Sequence, residues 1–363
     1  MNSETSTAPV SAVANLVGRA VSAVVDSGAM PEPALRAAIR GICAIRLREL
    51  ARRGSAGHAR LVEELRTAPI AIATEAANAQ HYEVPPDFYR LVLGPHLKYS
   101  SCLWPAGVDE LGAAEDAMLA LSATRAGLAD DQDILDLGCG WGSMSLWAAA
   151  RYPRSRITAV SNSHGQRGFI EATAAARGLS NLRVITGDIR TLEVASTAAD
   201  RRFDRIVSIE MFEHLRNYRA LFARLATWLR PTGALFVHVF AHERYAYPFD
   251  DAGPSDWMAR EFFTGGLMPS VDLFREFQDD LRLTDTWRVD GTHYARTAEA
   301  WHTNLWAREA EVMRVLAAAY GPDARRRFHR WRVFFLACAE LFGYRDGHEW
   351  LVAHHRFVPR TEP

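Results

Sequence analysis

The stretch "DILDLGCGWGS", residues 133–143, decides the fold because it joins a strand pattern to a glycine-rich loop. Residues 133–137 form an apolar run of strand length. Glycines at 138, 140 and 142 follow at once, so that the backbone can turn tightly and approach a ligand where a helix begins. A lone G-x-G is a weak signal, but its position between a buried strand and a helix predicts a cofactor loop.

Alternating strand and helix patterns surround this loop. Strand-like runs occupy residues 133–137, 156–161, 182–187, 205–209 and 234–240, and helical stretches such as "QRGFIEATAAARG" lie between them. Five such units in about 110 residues predict an α/β fold, a doubly wound and mostly parallel sheet with helices on both faces. After residue 285 we expect a strand at "LRLTDTWRV", two helices over about 297–342 and a last strand at "WLVAHHRFV".

The same patterns divide the chain into five segments. We expect a flexible N-terminus (1–30), a helical extension (31–95), a cofactor-binding core (96–243), an inserted cap beside the acceptor pocket (244–285) and C-terminal strands and helices that complete the core (286–363). In the extension, "GSAG" at 54–57 ends a helix that begins near Pro33, and Pro69 interrupts the next helix.

Composition excludes several classes of protein. The 363 residues carry a net charge of −1, which gives no general attraction to nucleic acid or to an acidic membrane. Four cysteines without metal-like or disulfide-like spacing are typical of a reducing compartment. No apolar run has the length of a membrane span, and no basic leader precedes an apolar stretch. We therefore predict a cytoplasmic protein without stable membrane insertion.

The cofactor loop has to be assigned either to a dinucleotide or to S-adenosylmethionine (SAM). Asp136 precedes the first glycine, where a carboxylate repels a pyrophosphate and suits a cationic ligand. Ser143 stands where a dinucleotide fingerprint has its third glycine, and Asn162 replaces the acid that usually holds a ribose. Asp188, in "GDI" after the third strand, can accept from an adenine amino group. Together these residues favour SAM.

A second motif, "FDRIVSIEMFEHLRNYR" at 203–219, places acid–base residues at the end of the fourth strand. Glu210, Glu213 and His214 are spaced i, i+3, i+4 and share one face of a helical turn. Ligands bind beyond the carboxyl ends of strands in such sheets, so the three residues should face the methyl donor. A protonated amine would need a base there. Our hypothesis makes His214 the base, Glu213 its orienting or sharing partner, and Glu210 the group that stabilises the cation. The alternative is a solvated helix start, where the dipole favours glutamate.

Several separated motifs, over about residues 33 to 358, resemble the cyclopropane-fatty-acid-synthase-like methyltransferases. They are "DLGCGWGS", "SNS..Q", "GDI", "SIEMFEH", "FFTGGLMPS" and "CAELFGY…GHEWLVAH". The resemblance is closest to the coclaurine N-methyltransferase branch, which methylates benzylisoquinoline amines. It implies a class I, Rossmann-like methyltransferase that converts SAM to S-adenosylhomocysteine (SAH). The histidines show no pattern that demands a metal, so we predict none. The resemblance implies SAM contacts at Tyr99, Ser100, Gly138, Gly140, Ser161, Asn162, Gln166, Asp188, Ile189 and Ile209, and acceptor contacts at Glu210, Glu213 and His214, with Glu83 as a further candidate.

The resemblance leaves a second reaction open, cyclopropane synthesis on an unsaturated fatty acyl phospholipid. Lipid-acting relatives carry glycine where Glu210 stands and typically cysteine at the position of Ser101, although Cys102 offers an alternative alignment. Glu213, His238 and Tyr294 match the lipid-type pocket, where they would hold bicarbonate or shape an amine pocket. An additional carboxylate suits a cationic amine and would be costly beside an acyl chain, so we favour the amine. A non-catalytic SAM-binding subunit would be expected to lose the acid–base residues. We expect a small-molecule amine as partner and no nucleic acid; the sequence is compatible with a monomer or a homodimer.

Overall fold

The computed structural model describes residues 22–72, 84–196, 199–200, 202–249 and 257–360. Its centre is a seven-stranded sheet with the strand order β3-β2-β1-β4-β5-β9-β8. The strands are β1 (Asp133–Leu137), β2 (Arg156–Ser161), β3 (Leu182–Thr186), β4 (Phe203–Ile209), β5 (Leu229–His242), β6 (Tyr247–Pro248), β7 (Leu267–Met268), β8 (Leu281–Val289) and β9 (Trp350–Pro359). β1 to β5 pair in parallel, and β9 is antiparallel to both β5 and β8. The predicted doubly wound, mostly parallel sheet is confirmed.

Helices cover both faces of this sheet. They are α1 (Glu32–Thr67), α2 (Pro86–Val92), α3 (Leu111–Ala126), α4 (Ser143–Arg151), α5 (His164–Ala176), α6 (Tyr218–Trp228), α7 (Trp257–Glu261), α8 (Gly291–Ala307), α9 (Glu309–Tyr320) and α10 (Ala324–Phe342). Successive strand residues point to opposite faces, so Ile134 packs in the cluster with α3 and α4 whereas Leu135 packs in the cluster with α6. Burial on both faces explains why the parallel strands read as continuous apolar runs.

The structure corrects two expectations about element bounds and confirms a third. β4 begins at Phe203 and β5 spans Leu229–His242, so both strands are longer than predicted. Three helices occupy the region where two were expected, because the chain breaks at Arg308 and again at 321–323. The break predicted at "GSAG" is present at Gly54, whose φ of 55° and ψ of −155° are non-helical, and helical backbone then resumes and continues to Thr67.

The N-terminal extension packs on the C-terminal helices. Arg36 of α1 donates to Glu340 of α10 at 2.8 Å and to Glu299 of α8 at 2.5 Å. Of the segment predicted to be flexible, residues 22–27 are helical and residues 1–21 lie outside the described residues. No helix in the described ranges is long and apolar enough to cross a membrane.

Residues 244–285 depart from the strand–helix alternation. β6 pairs with β7 in a separate two-stranded sheet, and α7 lies between them in the sequence. A bridge between His242 and Ser270 attaches this region to the end of β5. The region therefore lies at the same edge of the main sheet as the end of β4.

Candidate active site

A cavity of about 110 Å³ opens at the carboxyl ends of β1 and β4, and three carboxyl groups line it. We call it the acidic cavity. Its lining includes Asp136, Glu210, Glu213, His214 and Tyr294 together with Tyr99, Ser100, Gly138, Gly140, Gln166 and Ile209. The predicted acid–base residues and several predicted SAM contacts therefore come together in one space, although they are far apart in the sequence.

The glycine loop forms one wall of this cavity. Gly138 has a φ of +80°, and a Cβ there would lie 2.7 Å from Sδ of Met211. The amides of Gly138 and Cys139 both donate to the carbonyl of Val160, at 3.0 and 2.9 Å, which ties the loop to β2. Gly140, with a φ of +52°, has open space where a side chain would be. The loop thus has the close-approach geometry that its sequence predicted.

A second cavity, of about 80 Å³, lies on the other side of the loop. We call it the loop cavity. It shares Gly138, Gly140, Gln166 and His214 with the acidic cavity and adds Ser161, Asn162, Asp188 and Ile189. Every residue predicted to contact SAM therefore lines one of these two adjoining cavities, which together run along the glycine loop.

Two buried polar groups in these cavities fit a cationic amino-acid moiety such as that of SAM. Asp136 is 2% exposed and accepts a short hydrogen bond from the hydroxyl of Ser145. Burial raises the pKa of Asp136 to about 6. Gln166 is 1% exposed; its Oε1 accepts from Ser161 at 2.6 Å, while its Nε2 has no hydrogen-bond partner within the described ranges. A carboxylate and an unpaired amide donor match the ammonium and the acceptor oxygens of SAM.

Asp188 lines the loop cavity, and its carboxylate was expected to accept from an adenine amino group. The carboxylate is paired with the guanidinium of Arg190 at 2.6 Å and also accepts from the Arg190 amide at 2.8 Å. Arg190 lowers the pKa of Asp188. Arg190, two residues further along the same turn, thus orients the Asp188 carboxylate, and the contact of this carboxylate with adenine stays a prediction.

Glu210 does not belong to a helical turn, contrary to the i, i+3, i+4 reading. It follows β4 with a φ of +46°, and its amide donates to the carbonyl of His238 at 2.8 Å. Its carboxylate accepts from the amide of Ser101 at 2.9 Å and from the hydroxyl of Tyr294 at 2.7 Å, and its Oε1 lies 3.2 Å from Nε2 of His238. The left-handed backbone turns the carboxylate back into the acidic cavity.

Glu213 and His214 lie in the 3₁₀ turn Phe212–His214. The Glu213 side chain is 1% exposed, and its Oε2 has no hydrogen-bond partner in the part of the chain that the structure describes. His214 lines both cavities, and its ring is stacked with Phe263 at a centroid distance of 6.1 Å. The turn therefore presents a buried acid and an imidazole at the point where the cavities meet.

The two glutamates differ in their electrostatic environments. Burial raises the pKa of Glu210, while the charge of Lys98 and the hydrogen bonds from Ser101 and Tyr294 oppose that rise. Burial and the neighbouring charge of Glu210 raise the pKa of Glu213 well above its ordinary value. The arrangement therefore combines a carboxylate held by several donors with a second carboxyl that binds a proton readily.

Other residues at the site were not found by sequence reasoning. Lys98, the single lysine of the sequence, is buried and donates to Ser100 Oγ at 2.5 Å and to the Ser101 carbonyl at 2.6 Å. Trp141, Phe240 and Phe334 also line the acidic cavity. The adjacency of Lys98 to Tyr99 was the available signal for it, whereas the three aromatic residues look like ordinary core positions in the sequence.

A third, larger cavity lies behind the site. It has a volume of about 520 Å³, is lined almost wholly by apolar side chains, and shares Phe240, Phe263 and Tyr294 with the acidic cavity. We call it the apolar cavity.

Two predicted site residues remain. Nε2 of His238 lies 3.2 Å from Oε1 of Glu210, and Glu83 lies outside the described residues. No three His, Cys, Asp or Glu side chains among the described residues are grouped to hold a metal ion.

Comparison with known proteins gives a consistent result. The mycolic acid cyclopropane synthetase family matches residues 71–349. (S)-coclaurine N-methyltransferase of Thalictrum flavum subsp. glaucum is 37% identical over 302 residues, which cover 82% of each chain. Cyclopropane-fatty-acyl-phospholipid synthase of Escherichia coli K12 is 28% identical over 282 residues, 77% of this chain and 67% of the relative.

One solved structure extends the similarity to nearly the whole chain. It is a coclaurine N-methyltransferase bound to N-methylheliamine and SAH, with a TM-score of 0.89 and 33% identity. The match covers 96% of this chain and 99% of that chain. The similarity therefore includes the N-terminal helix and the region around residues 244–285 as well as the central sheet.

Proposed function

The chain belongs to the mycolic acid cyclopropane synthetase family and is a SAM-dependent methyltransferase, and we propose that it methylates the nitrogen of a small amine. The acceptor class we propose is a tetrahydroisoquinoline or benzylisoquinoline-like amine. Support comes from the N-methyltransferase names of the similar proteins and from the acidic cavity itself. The cyclopropane-synthase alternative has weaker support, because the lipid synthase is less similar to this chain.

The observation that carries the proposal is the pair of buried glutamates. A carboxylate oxygen buried without a hydrogen-bond donor is costly, and the cost is removed when a cationic ligand supplies one. Oε2 of Glu213 is such an oxygen once that carboxyl is ionised, and the charge of Glu210 beside it opposes this ionisation until a cation binds. An ammonium group provides both charge and donors, whereas a lipid double bond provides neither.

Each side chain has a definite part in this reaction. SAM, when bound, supplies an electrophilic methyl group on a sulfonium. Asp136 and Gln166 would hold its amino-acid end. Glu213, with its raised pKa, or His214 beside it would take the proton of the incoming ammonium and so expose the nitrogen lone pair. Glu210 would stabilise the positive charge that develops on nitrogen.

The apolar cavity offers room for the rest of the acceptor. Tyr294 and Phe263 line both this cavity and the acidic cavity, so a bound amine nitrogen near the glutamates would leave its ring system against apolar walls. Burial of a flat aromatic body there would supply most of the binding free energy. The division into a polar end and an apolar body fits an isoquinoline-type amine.

Methyl transfer to two acceptors in parallel tests the reaction class. Purified protein with labelled SAM would be given a tetrahydroisoquinoline panel in one set and unsaturated phospholipid vesicles, with and without bicarbonate, in the other. We expect a mass gain of one methyl on the amine, independent of bicarbonate. Methylene addition to the lipid that needs bicarbonate would contradict the proposal and assign Glu213, His238 and Tyr294 to an anion site.

Substitution of the acid–base residues tests their roles. We expect Glu213→Gln to lower kcat/KM for the amine by about 100-fold, because general-base assistance is worth that much or more. We expect the affinity for SAH, measured by calorimetry, to stay within about twofold. His214→Gln should have a smaller but measurable effect, and Glu171→Gln on exposed α5 is the matched control. Wild-type rates in both site variants would refute the assignment.

A further inference from the structure

A chain of hydrogen bonds leads from Glu210 through the sheet to the far end of α3. Nε2 of His238 is 3.2 Å from Oε1 of Glu210, and Nδ1 of His238 is 2.9 Å from Nε2 of His354. Nδ1 of His354 is in turn 2.8 Å from Nη1 of Arg125. The two histidines are direct cross-strand partners on β5 and β9, and both are fully buried.

Arg125, at the far end of this hydrogen-bond chain, determines which nitrogen donates in each hydrogen bond. A guanidinium only donates, so Nδ1 of His354 must accept from Arg125 and cannot carry a proton. The proton of a neutral His354 is then on Nε2 and points at Nδ1 of His238. His238 is therefore an acceptor at Nδ1, and its own proton is on Nε2, facing Glu210. Burial and nearby cations lower the pKa of both histidines well below the ordinary value, in agreement with two neutral rings.

We propose, building on the amine chemistry at Glu210, that Arg125 and His354 are positioning residues that fix His238 as the Nε2–H tautomer and thereby keep Glu210 an ionised acceptor. The Glu210 carboxylate then receives three donors, from His238, Ser101 and Tyr294. An ionised carboxylate has about four lone-pair sites, so one remains for the cationic acceptor. With the opposite tautomer, a nitrogen lone pair of His238 would face the carboxylate and favour its protonation.

Other charged or titratable groups also act on Glu210 and have to be held constant in a test. They are Lys98, Glu213, Tyr294, Cys102 and Cys338. Arg125 suits substitution because it is only partly buried, with its guanidinium over the ring of Trp287 at 5.1 Å, and because it touches neither cavity. Its removal changes the far end of the hydrogen-bond chain and leaves Ser101, Tyr294 and His238 in contact with Glu210.

The direct test is the tautomer of His238, read from ¹⁵N chemical shifts in protein labelled at histidine and assigned with a His238→Gln variant. We expect the Nε2–H form in the wild type and a substantial Nδ1–H fraction in Arg125→Met. Arg125→Lys retains a donor and should restore the wild-type pattern. His354→Gln should also preserve it, because an amide can accept from Arg125 and donate to His238. An Nδ1–H form in the wild type would overturn the proposal.

The pH profile of amine methylation is the second readout. In Arg125→Met the acid limb of kcat/KM should move up by about one pH unit, so that activity at the foot of the limb falls about tenfold. SAH affinity should be unchanged. Arg205→Met is the matched control, since Arg205 is half-buried beside the same helix end but donates to the Gly127 carbonyl at 3.0 Å.

An Arg125→Met variant whose pH profile and His238 tautomer equal those of the wild type would overturn the proposal. Failure of the wild type to methylate any amine would refute the proposed function, and the tautomer measurement would still decide this one.

Discussion

Three buried carboxyl groups face the acidic cavity, and their partners separate their roles. Asp136 accepts from a hydroxyl, Glu210 accepts from Ser101 and Tyr294 and contacts Nε2 of His238, and Oε2 of Glu213 accepts from none among the described residues. The three carboxyl groups thus differ in pKa because their surroundings differ. At this scale, pH is the most direct probe.

Asp136 should make cofactor binding depend on pH. Burial raises its pKa to about 6, so the carboxyl is ionised above that pH and neutral below it. The neutral acid does not attract the ammonium group that SAM and SAH share. We expect the Kd of SAH to be constant above about pH 7 and to rise about tenfold for each pH unit below 6. Isothermal titration calorimetry between pH 5 and pH 8 measures it.

Two variants isolate the contribution of Asp136. Asp136→Asn should bind SAH weakly at all of these pH values, with no break near pH 6. Ser145→Ala removes a hydrogen bond that lowers the pKa of Asp136, so the break should move to higher pH. A break that persisted in Asp136→Asn would mean that another group controls the titration.

The sequence predicted which acids lie at the site but not how they are oriented. The spacing of Glu210, Glu213 and His214 suggested one helical face, yet Glu210 reaches the cavity through a left-handed backbone. Non-glycine residues adopt that conformation rarely, and here the hydrogen bonds to His238, Ser101 and Tyr294 accompany it. Those partners are distant in sequence, so no local pattern could reveal them.

At the level of elements, α3 holds the segment that precedes Tyr99 and Ser100, two of the predicted cofactor contacts. Glu115 of α3 is fully buried and accepts from three backbone amides: Gly94 at 3.0 Å, His96 at 2.8 Å and Lys98 at 3.2 Å. Both carboxylate oxygens are used. The strand-free segment 94–98 thus takes its shape from one side chain on a neighbouring helix.

Glu115→Gln should loosen this segment. The amide NH₂ of glutamine would face at least one of the three donors, and leaving a buried N–H unpaired costs about 1–3 kcal/mol. We expect the free energy of unfolding, from urea titration, to fall by that amount, and the Kd of SAH to rise. Glu110→Gln, at the exposed start of the same helix, is the control and should change stability by less than about 0.5 kcal/mol. Equal stability of Glu115→Gln and wild type would contradict this role.

Local patterns predicted the elements well where local signals were strong. β1 and β2 coincide with their predicted bounds because apolar runs are followed directly by loop residues. The break between α8 and α9 was missed because no glycine or proline marks it. Arg308 bonds there to the carbonyl of Leu91, a contact 217 residues away. Only the folded chain brings that partner into place.

At the scale of the whole molecule, the apolar cavity is built from parts that are remote in the sequence. Ile39 of α1, Ala337 of α10, Trp257 of α7 and Trp350 of β9 all line it. Apolar residues on each element have the pattern of ordinary core positions, so no local pattern indicates that they enclose a space. The cavity should therefore set which acceptors fit without affecting cofactor binding.

Ala337→Phe tests this division of the molecule. The side chain would enter the apolar cavity, and we expect kcat/KM to fall about tenfold or more for a 1-benzyl tetrahydroisoquinoline and less than about threefold for the same amine without the benzyl group. The affinity for SAH should not change, because Ala337 lines neither the acidic cavity nor the loop cavity. Thermal stability should hold or rise, since overpacking destabilises only where no space exists.

Ala317→Phe on the exposed face of α9 is the matched control. Equal losses for the two amines would show that the benzyl group binds elsewhere, and a marked loss of stability would show that the cavity is not open space in solution.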